Sequence, residues 1–219
     1  MDFKEKLFLF LSGIFLTSLV LANIIGTTKF VIVFGLTVPA GVLAYPFTFL
    51  ATDLICELYG KKRAQTLVWV GCAMNFFMLG LMMLGHYLKD ASGISGATST
   101  FESVYEFMIG NVIASMIAYL IAQSVDVKLF HFWKSLTKGK HLWLRNNLST
   151  VVSQLADTTA IMTILYLANN LGTSIQSIGD LVGLIFASYI FKVFVALFDT
   201  PLFYIGVWAL KDKVSDELK

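Results

Sequence analysis

The chain has 219 residues, of which 57% are hydrophobic and 14% are charged, and its mean hydropathy is +0.77. A soluble domain carries roughly one charged residue in four, so this composition excludes an ordinary water-soluble fold. The formal net charge of +2 and the scattered basic residues argue against nucleic acid as a direct partner. We therefore expect an all-α integral membrane protein embedded in the lipid bilayer.

Six stretches are long and apolar enough to cross a bilayer, which takes about 20 residues per helix because backbone polar groups must be paired within the segment. They run over Leu7–Thr27, Phe30–Tyr59, Ala64–Leu88, Tyr105–Val125, Leu148–Asn169 and Leu181–Leu210. The sequence thus predicts one domain, residues 1–219, of six transmembrane helices. The first stretch is long and lacks a cleavage motif, so we expect it to be a span rather than a removed signal peptide.

Prolines interrupt two of these stretches. Pro39 and Pro46 fall in the second stretch and Pro201 falls in the sixth. A proline inside a helix removes a hydrogen bond, so breaks or kinks are expected at these positions. A non-helical stretch around Val33–Pro39 is compatible with a membrane only where it is buried in protein or lines a cavity.

Lysine and arginine are distributed unevenly between the two sides of the predicted bundle. Of 16 such residues, 13 lie at the chain ends and in the second and fourth connections, two lie on the opposite side, and Lys192 lies inside a span. The positive-inside rule therefore predicts that both termini are cytoplasmic.

Ionisable side chains inside the predicted spans point to a functional interior. On insertion scales each costs about 2.5–3.5 kcal/mol at the bilayer centre, so they should face one another, a ligand or a water-filled cavity. These side chains are Asp53, Glu57, Asp157, Lys192 and Asp199. Four carboxylates against one lysine predict a net acidic interior, which suits a donor-rich ligand or a proton. Structural ion pairs that only hold the bundle together are the alternative, and Glu57 is also placed to pair with Lys61 or Arg63.

Helical spacing indicates which polar groups share a face. Asp53 and Glu57 are four residues apart on the second helix, and Gln154 stacks with Asp157 on the fifth. Lys192 and Asp199 follow one stripe of the sixth helix. Neutral hydrogen-bonding groups on the first, third and fourth helices are Asn23, Asn75, Ser115, Tyr119 and Gln123. Polar atoms from all six helices are therefore expected to converge on an interior site.

Several runs resemble the queuosine-precursor transporter family. They are Ala22–Gly26 with Lys29, the run YPFTFLATDLICELYGKK from Tyr45 to Lys62, Arg145–Thr150 with Ser153, Gln154, Asp157 and Thr158, and Tyr189, Lys192, Asp199, Thr200 and Pro201 near the end. The resemblance covers nearly the whole chain. It implies a multi-pass protein of the bacterial cytoplasmic membrane, with a fold similar to the substrate-binding subunits of energy-coupling-factor vitamin transporters.

The resemblance also implies a cargo. The family is linked to uptake of 7-cyano- and 7-aminomethyl-7-deazaguanine, precursors of the tRNA nucleoside queuosine, and no cofactor, metal site or catalytic residue is expected. A carboxylate accepts the two donors of a guanine edge, so the expected ligand contacts are Asp53, Glu57, Gln154 and Asp157. Expected supporting residues are Asn23, Asn75, Tyr119, Lys192 and Asp199 in the site, Arg145 and Asn147 at the cytoplasmic mouth, and Phe47, Phe49, Tyr119 and Tyr204 as candidate stacking walls.

Two other functions stay open at this point. One is a binding subunit that depends on a separate ATP-driven module, because the chain itself contains no P-loop motif. The other is an intramembrane hydrolase that uses Asp53 and Asp157 as acid and base, although no hydrolase motif supports it.

The remaining expectations concern small residues. Cys56 and Cys72 lack the spacing of a metal site or a disulfide framework and are predicted to be packing residues. Gly110, Ser115 and Ala118 on the fourth helix would permit close helix contact, which leaves homo-oligomerisation open.

Overall fold

The structure, a computed structural model, describes residues 2–89, 98–137, 142–172 and 175–215. Its six α-helices are α1 (Phe3–Ile25), α2 (Tyr45–Tyr59), α3 (Lys61–Tyr87), α4 (Thr98–Leu136), α5 (Leu142–Leu167) and α6 (Ile178–Ser215). Between α1 and α2 lie strands β1 (Phe30–Val33) and β2 (Leu36–Pro39) and a 3₁₀ helix, Ala40–Ala44. The predicted helical fold class is confirmed, and the chain adds one short β-hairpin that was not predicted.

Over the described ranges, four helices are long and apolar enough to cross a membrane. They are Phe3–Ile25, Ala40–Tyr59, Lys62–Tyr87 and Ile178–Lys211, and Val151–Leu167 within α5 is a shorter apolar helix. These four overlap the first, second, third and sixth predicted spans. The predicted fourth span, Tyr105–Val125, lies within α4, which runs from Thr98 to Leu136 and is not one of these four helices, so this span stays a prediction.

The second predicted span, Phe30–Tyr59, is not one long helix. The run Phe30–Val33, three residues of which are β-branched, pairs antiparallel with Leu36–Pro39 instead. Phe34 and Gly35 connect the strands with φ angles of 51° and 80°, and such a pair of positive φ values is typical of the two-residue turns that fit the twist of a hairpin. The non-helical stretch predicted around Val33–Pro39 is confirmed, and it extends back to Phe30.

The prolines of this region mark boundaries instead of kinks. Pro39 ends β2, and Pro46 lies in the first turn of α2, where the missing N–H would have no helical partner in any case. The break predicted at Pro39 is confirmed, because the second stretch becomes helical only after this residue, whereas no break or kink occurs at Pro46. Pro201 does lie inside a helix, α6, as predicted.

Two glycines bring the backbones of three elements close together. A Cβ atom on Gly41 would lie 2.5 Å from the carbonyl oxygen of Ala22 and 2.8 Å from the Cα of Gly26. A Cβ atom on Gly26 would overlap the side chain of Asn111. Only glycine permits this approach, so these positions join the 3₁₀ helix, α1 and α4.

Apolar side chains form separate clusters around the bundle. One cluster joins α1, α2 and α3 through Leu11, Phe15, Ala51, Leu54, Ile55, Ala64 and Leu67. A second joins α4, α5 and α6 with the loop between the last two, through Ala114, Met162, Leu165, Leu171, Leu181 and Leu184. A third packs the hairpin and the 3₁₀ helix on α6 through Val38, Val42, Phe191 and Val195. The hairpin is thus anchored to the last helix by its apolar side.

The small residues of α4 make contacts within the chain. Ala118 is fully buried, Gly110 lies against the side chain of Asn170, and the Ser115 hydroxyl donates a hydrogen bond to Asn23. The close helix contact predicted for these residues therefore occurs inside one chain, and it carries no argument for homo-oligomers.

Replacing Gly41 by alanine tests the close approach of the 3₁₀ helix to α1. Because the new methyl group would meet backbone atoms of Ala22 and Gly26, the free energy of unfolding is expected to fall by about 1–3 kcal/mol. Thermal unfolding of the purified protein in detergent measures the change. Gly80→Ala on α3 is the control, because nothing lies within 4 Å of the added Cβ; equal stability of the two variants would contradict the packing.

Candidate functional site

A cavity of about 410 Å³ lies between the helices, and all six of them contribute to its wall. This volume is within the range of about 300–1,000 Å³ typical of small-molecule sites. The polar residues of its wall are Asn23, Thr27, Tyr45, Thr48, Thr52, Asn75, Asn111, Ser115, Tyr119, Ser153, Gln154, Asp157 and Lys192. The remainder of the wall is largely apolar, with Phe15, Phe49 and Trp69 as aromatic members. A mostly apolar wall with a few placed polar groups suits a flat organic ligand.

Three asparagines form a buried amide cluster in this wall. The Asn23 amide nitrogen donates to Oδ1 of Asn75 at 3.0 Å, and the Asn111 amide donates to the carbonyl oxygen of Asn23 at 3.2 Å. The Ser115 hydroxyl donates to Oδ1 of Asn23 at 3.0 Å. Asn23 is therefore the centre of a network that ties α1 to α3 and α4.

An ion pair forms the wall on the α5 and α6 side. Lys192 donates from Nζ to Oδ2 of Asp157 at 2.9 Å. Nζ also lies 4.4 Å from the centre of the Tyr45 ring, a distance typical of a cation–π contact. The Lys192 side chain is 3% exposed and that of Asp157 is 23% exposed. The lysine is thus hidden behind its partners, and the carboxylate is the more accessible member of the pair.

Gln154 lies one turn before Asp157 on the same helix. Its side chain also lines the cavity, and it has no hydrogen-bond partner among the described residues. Its backbone carbonyl accepts from the Thr158 hydroxyl at 2.8 Å. The side-chain amide is therefore free to act as donor and acceptor toward a ligand.

The cavity has a buried end and an exposed end. Near the carboxyl end of α1, Thr27 and Asn111 are buried, and Pro39 and Gly41 close the wall above them. At the other end Trp69, a lining residue of α3, is 66% exposed and Tyr119 on α4 is 46% exposed. The cavity is therefore least enclosed on the side of Trp69 and Tyr119.

The structure brings together six of the nine site residues predicted from the sequence. Asn23, Asn75, Tyr119, Gln154, Asp157 and Lys192 all line the cavity. Of the predicted aromatic walls, Phe49 and Tyr119 line it, whereas Phe47 and Tyr204 are exposed outside it. Arg145 and Asn147 lie outside the residues whose side chains the structure describes.

Three predicted carboxylates do not line the cavity. Glu57 is exposed, and its Oε1 lies 3.9 Å from Nζ of Lys211. The side chain of Lys61, one of the two cations considered from the sequence, lies outside the described residues. Asp53 is exposed on α2, and it interacts electrostatically with Asp199 on α6. The Asp199 side chain is buried, and its Oδ2 has no hydrogen-bond partner in the described part of the chain. The acidic interior predicted from four carboxylates is therefore reduced to Asp157 in the cavity itself.

Several residues that line the cavity were not predicted from the sequence. Asn111 is the clearest, since an amide inside an apolar helix, four residues before Ser115, places both on one face of α4. Tyr45 belongs to the run that carried the family resemblance, but its contact with Lys192 depends on tertiary packing. Cys72 lines the cavity and Cys56 is exposed, so neither is the buried packing residue that was predicted. No group of three metal-ligating side chains is found within the described ranges.

A helical membrane bundle around a polar-lined cavity with one accessible end is the architecture of a small-molecule transporter. The family model described as "Putative vitamin uptake transporter" matches residues 39–206. The chain belongs to this family, and it is a multi-pass membrane protein.

Three curated relatives are similar to the chain. The "Probable queuosine precursor transporter" of Bacillus subtilis is 33% identical over 59% of this chain and 57% of its own length. That of Haemophilus influenzae is 29% identical over 72% of this chain and 63% of its own length. The "Queuosine precursor transporter" of Escherichia coli is 24% identical over 81% of this chain and 76% of its own length. The chain thus matches less than two thirds of the first two relatives.

No solved structure matches the chain. The similarity to energy-coupling-factor subunits therefore stays a prediction.

Replacing Asn23 by leucine tests the amide cluster. The substitution removes the side-chain amide that Asn75 and Ser115 bond, and Asn111 keeps only its bond to the backbone carbonyl of residue 23, so the free energy of unfolding is expected to fall by about 1–3 kcal/mol. Thr17→Leu, at an exposed position of the same helix, is the matched control. Thermal unfolding in detergent compares the two, and a loss no larger than that of the control would contradict a structural role for the cluster.

Proposed function

We propose that this chain imports queuosine precursors, the deazaguanine bases, across the bacterial cytoplasmic membrane, and that the cavity between the six helices is their binding site. Family membership and the names of the three relatives support the cargo. The observation that carries the site is the combination, in one cavity wall, of Gln154, whose side chain has no hydrogen-bond partner among the described residues, and Asp157, whose carboxylate is the more accessible member of its ion pair.

The chemistry of the base fits this wall. A guanine edge presents an N1–H and an exocyclic amine as donors beside a carbonyl acceptor. The Asp157 oxygen that does not face Lys192 accepts N–H donors, and the Gln154 amide donates to a carbonyl. Phe49 and Trp69 supply apolar faces of the kind that a flat base stacks on. Asn23 and Asn75 shape the buried end of the cavity, and Tyr119 shapes its mouth. Lys192 holds Asp157 in place.

The orientation in the membrane is part of the proposal. With six crossings, both termini lie in the cytoplasm, because 13 of the 16 lysine and arginine residues then fall on that side. Trp69 belongs to the third turn of α3, which starts at the cytoplasmic Lys61. The exposed end of the cavity then faces the cytoplasm, and the hairpin and 3₁₀ helix cover the outer end.

The predicted ligand contacts Asp53, Glu57 and Asp199 have no place in this site. Their positions outside the cavity wall give no support to direct contact with the base, and such a role stays a prediction for them. Arg145 and Asn147 likewise stay predicted residues of the cytoplasmic mouth.

Replacing Gln154 by leucine tests the binding site without disturbing an existing hydrogen bond. Affinity for 7-cyano-7-deazaguanine is expected to fall about tenfold or more, because a base carbonyl is left without its donor in a desolvated pocket. Isothermal titration calorimetry on the purified chain measures affinity. The unfolding temperature should stay close to that of the original protein, since the Gln154 side chain has no described partner.

Thr159→Leu is the matched control, because Thr159 is exposed on the same helix and does not line the cavity. Unchanged affinity of the Gln154 variant would place the base elsewhere. Uptake of the base by liposomes that contain only this chain would show that no ATP-driven partner is needed.

A further inference from the structure

Three buried hydroxyl groups have no hydrogen-bond partner in the described part of the chain. They belong to Ser12, Thr27 and Ser188. Of these three residues, Thr27 is the one that lines the cavity, and it is only 5% exposed. An unpaired hydroxyl that is shut off from water destabilises a folded protein, so its position in a ligand-sized cavity calls for an explanation.

A threonine in or next to a helix commonly donates to a backbone carbonyl three or four residues earlier. The Thr48 hydroxyl, also in the cavity wall, does so and donates to the carbonyl oxygen of Tyr45 at 2.8 Å. For Thr27, the carbonyl four residues earlier is that of Asn23, which already accepts from the Asn111 amide at 3.2 Å. The amide cluster therefore occupies the carbonyl that Thr27 would ordinarily use.

Thr27 lies near the ion pair on the α5 and α6 side of the cavity. Its neighbour Gly26 packs on Gly41, where an added Cβ atom would lie 2.8 Å from the Gly26 Cα. Four residues after Gly41 comes Tyr45, and its ring centre is 4.4 Å from Nζ of Lys192. This stretch belongs to the 3₁₀ helix and spans roughly 8 Å at the rise of such a helix. The unpaired hydroxyl and the ion pair are thus separated by a piece of wall comparable in length with a two-ring base.

A base in the proposed pose has hydrogen-bonding groups on two sides. Asp157 accepts from the edge that carries the N1–H and the exocyclic amine, and the opposite side is the five-membered ring with its N9–H and position-7 group. A hydroxyl is both donor and acceptor, so that of Thr27 suits either group. Rotation about the Cα–Cβ bond moves a threonine hydroxyl between staggered positions, and this allows it to turn toward a ligand.

We propose that Thr27 is a second contact to the base, at the buried end of the cavity. Its hydroxyl hydrogen-bonds the five-membered-ring side, while Asp157 and Gln154 bond the opposite edge. The inference rests on the proposed function and adds a specificity-determining residue to it. Binding of the base then satisfies a hydroxyl that the protein without ligand leaves unpaired, and the two sides of the base are recognised by opposite parts of the wall.

Replacing Thr27 by valine tests this contact, because valine keeps the shape of the side chain and removes the hydroxyl. Affinity of the full chain for 7-cyano-7-deazaguanine, measured by isothermal titration calorimetry in detergent, is expected to fall about fivefold or more. The unfolding temperature should not fall, since the hydroxyl has no described partner to lose. Thr27→Ser retains the hydroxyl and is expected to bind the base as the original protein does.

Ser188→Ala is the matched control, because it removes another buried hydroxyl without a described partner, at a residue that does not line the cavity. Its affinity for the base should be unchanged. Thr27→Ala takes the place of the valine variant if that variant does not fold.

Unchanged affinity on loss of the Thr27 hydroxyl, or an equal loss in Thr27→Ser, would overturn the inference and leave the proposed function intact. Absence of binding to the folded original protein would instead overturn the proposed function itself.

Discussion

A lysine amine inside a membrane-spanning bundle has to be neutralised by a neighbouring group, and the Lys192–Asp157 ion pair meets this requirement here. The pair joins α5 to α6 at the cavity wall. The amide cluster around Asn23 joins α1, α3 and α4 through uncharged groups. Because these polar groups satisfy one another, the helices converge on a polar interior. In the described part of the chain, the Gln154 side chain, one oxygen of Asp157 and the buried Thr27 hydroxyl remain available in the cavity wall to a ligand.

The need to pair buried polar groups also explains the non-helical segment at the buried end of the cavity. A backbone outside helices must pair its N–H and C=O groups in some other way within a membrane protein. Residues 30–39 do so as a hairpin, and the Ala40 amide continues the pairing by donating to the carbonyl oxygen of Lys29 at 2.8 Å. With Gly41 packed directly on α1, this segment closes one end of the cavity. A transporter that works by alternating access exposes its binding site to one side of the membrane at a time. A cavity that is closed at one end fits one of these states.

Hydrophobicity and the cost of buried charge were sufficient to predict the helical membrane fold, most spans, and a polar interior that contains Asn23, Asn75, Gln154, Asp157 and Lys192. Helical spacing was not sufficient to show which face of a helix turns inward. Asp53 and Glu57 share a face, but that face of α2 lies away from the cavity, while Thr48 and Thr52 line it. The hairpin was hidden because Phe30–Val33 is as apolar as a helix of the same length, and the Tyr45 contact with Lys192 depends on packing between distant segments.

The chain's two cysteines allow a direct measurement of where the base binds. Cys72 lines the cavity and Cys56 is exposed outside it. The rate of alkylation by N-ethylmaleimide can be followed by mass spectrometry at each thiol, with and without 7-cyano-7-deazaguanine. A base bound in the cavity is expected to slow alkylation of Cys72 and to leave the rate at Cys56 unchanged. Equal rates at Cys72 with and without saturating base would contradict the cavity as the substrate site.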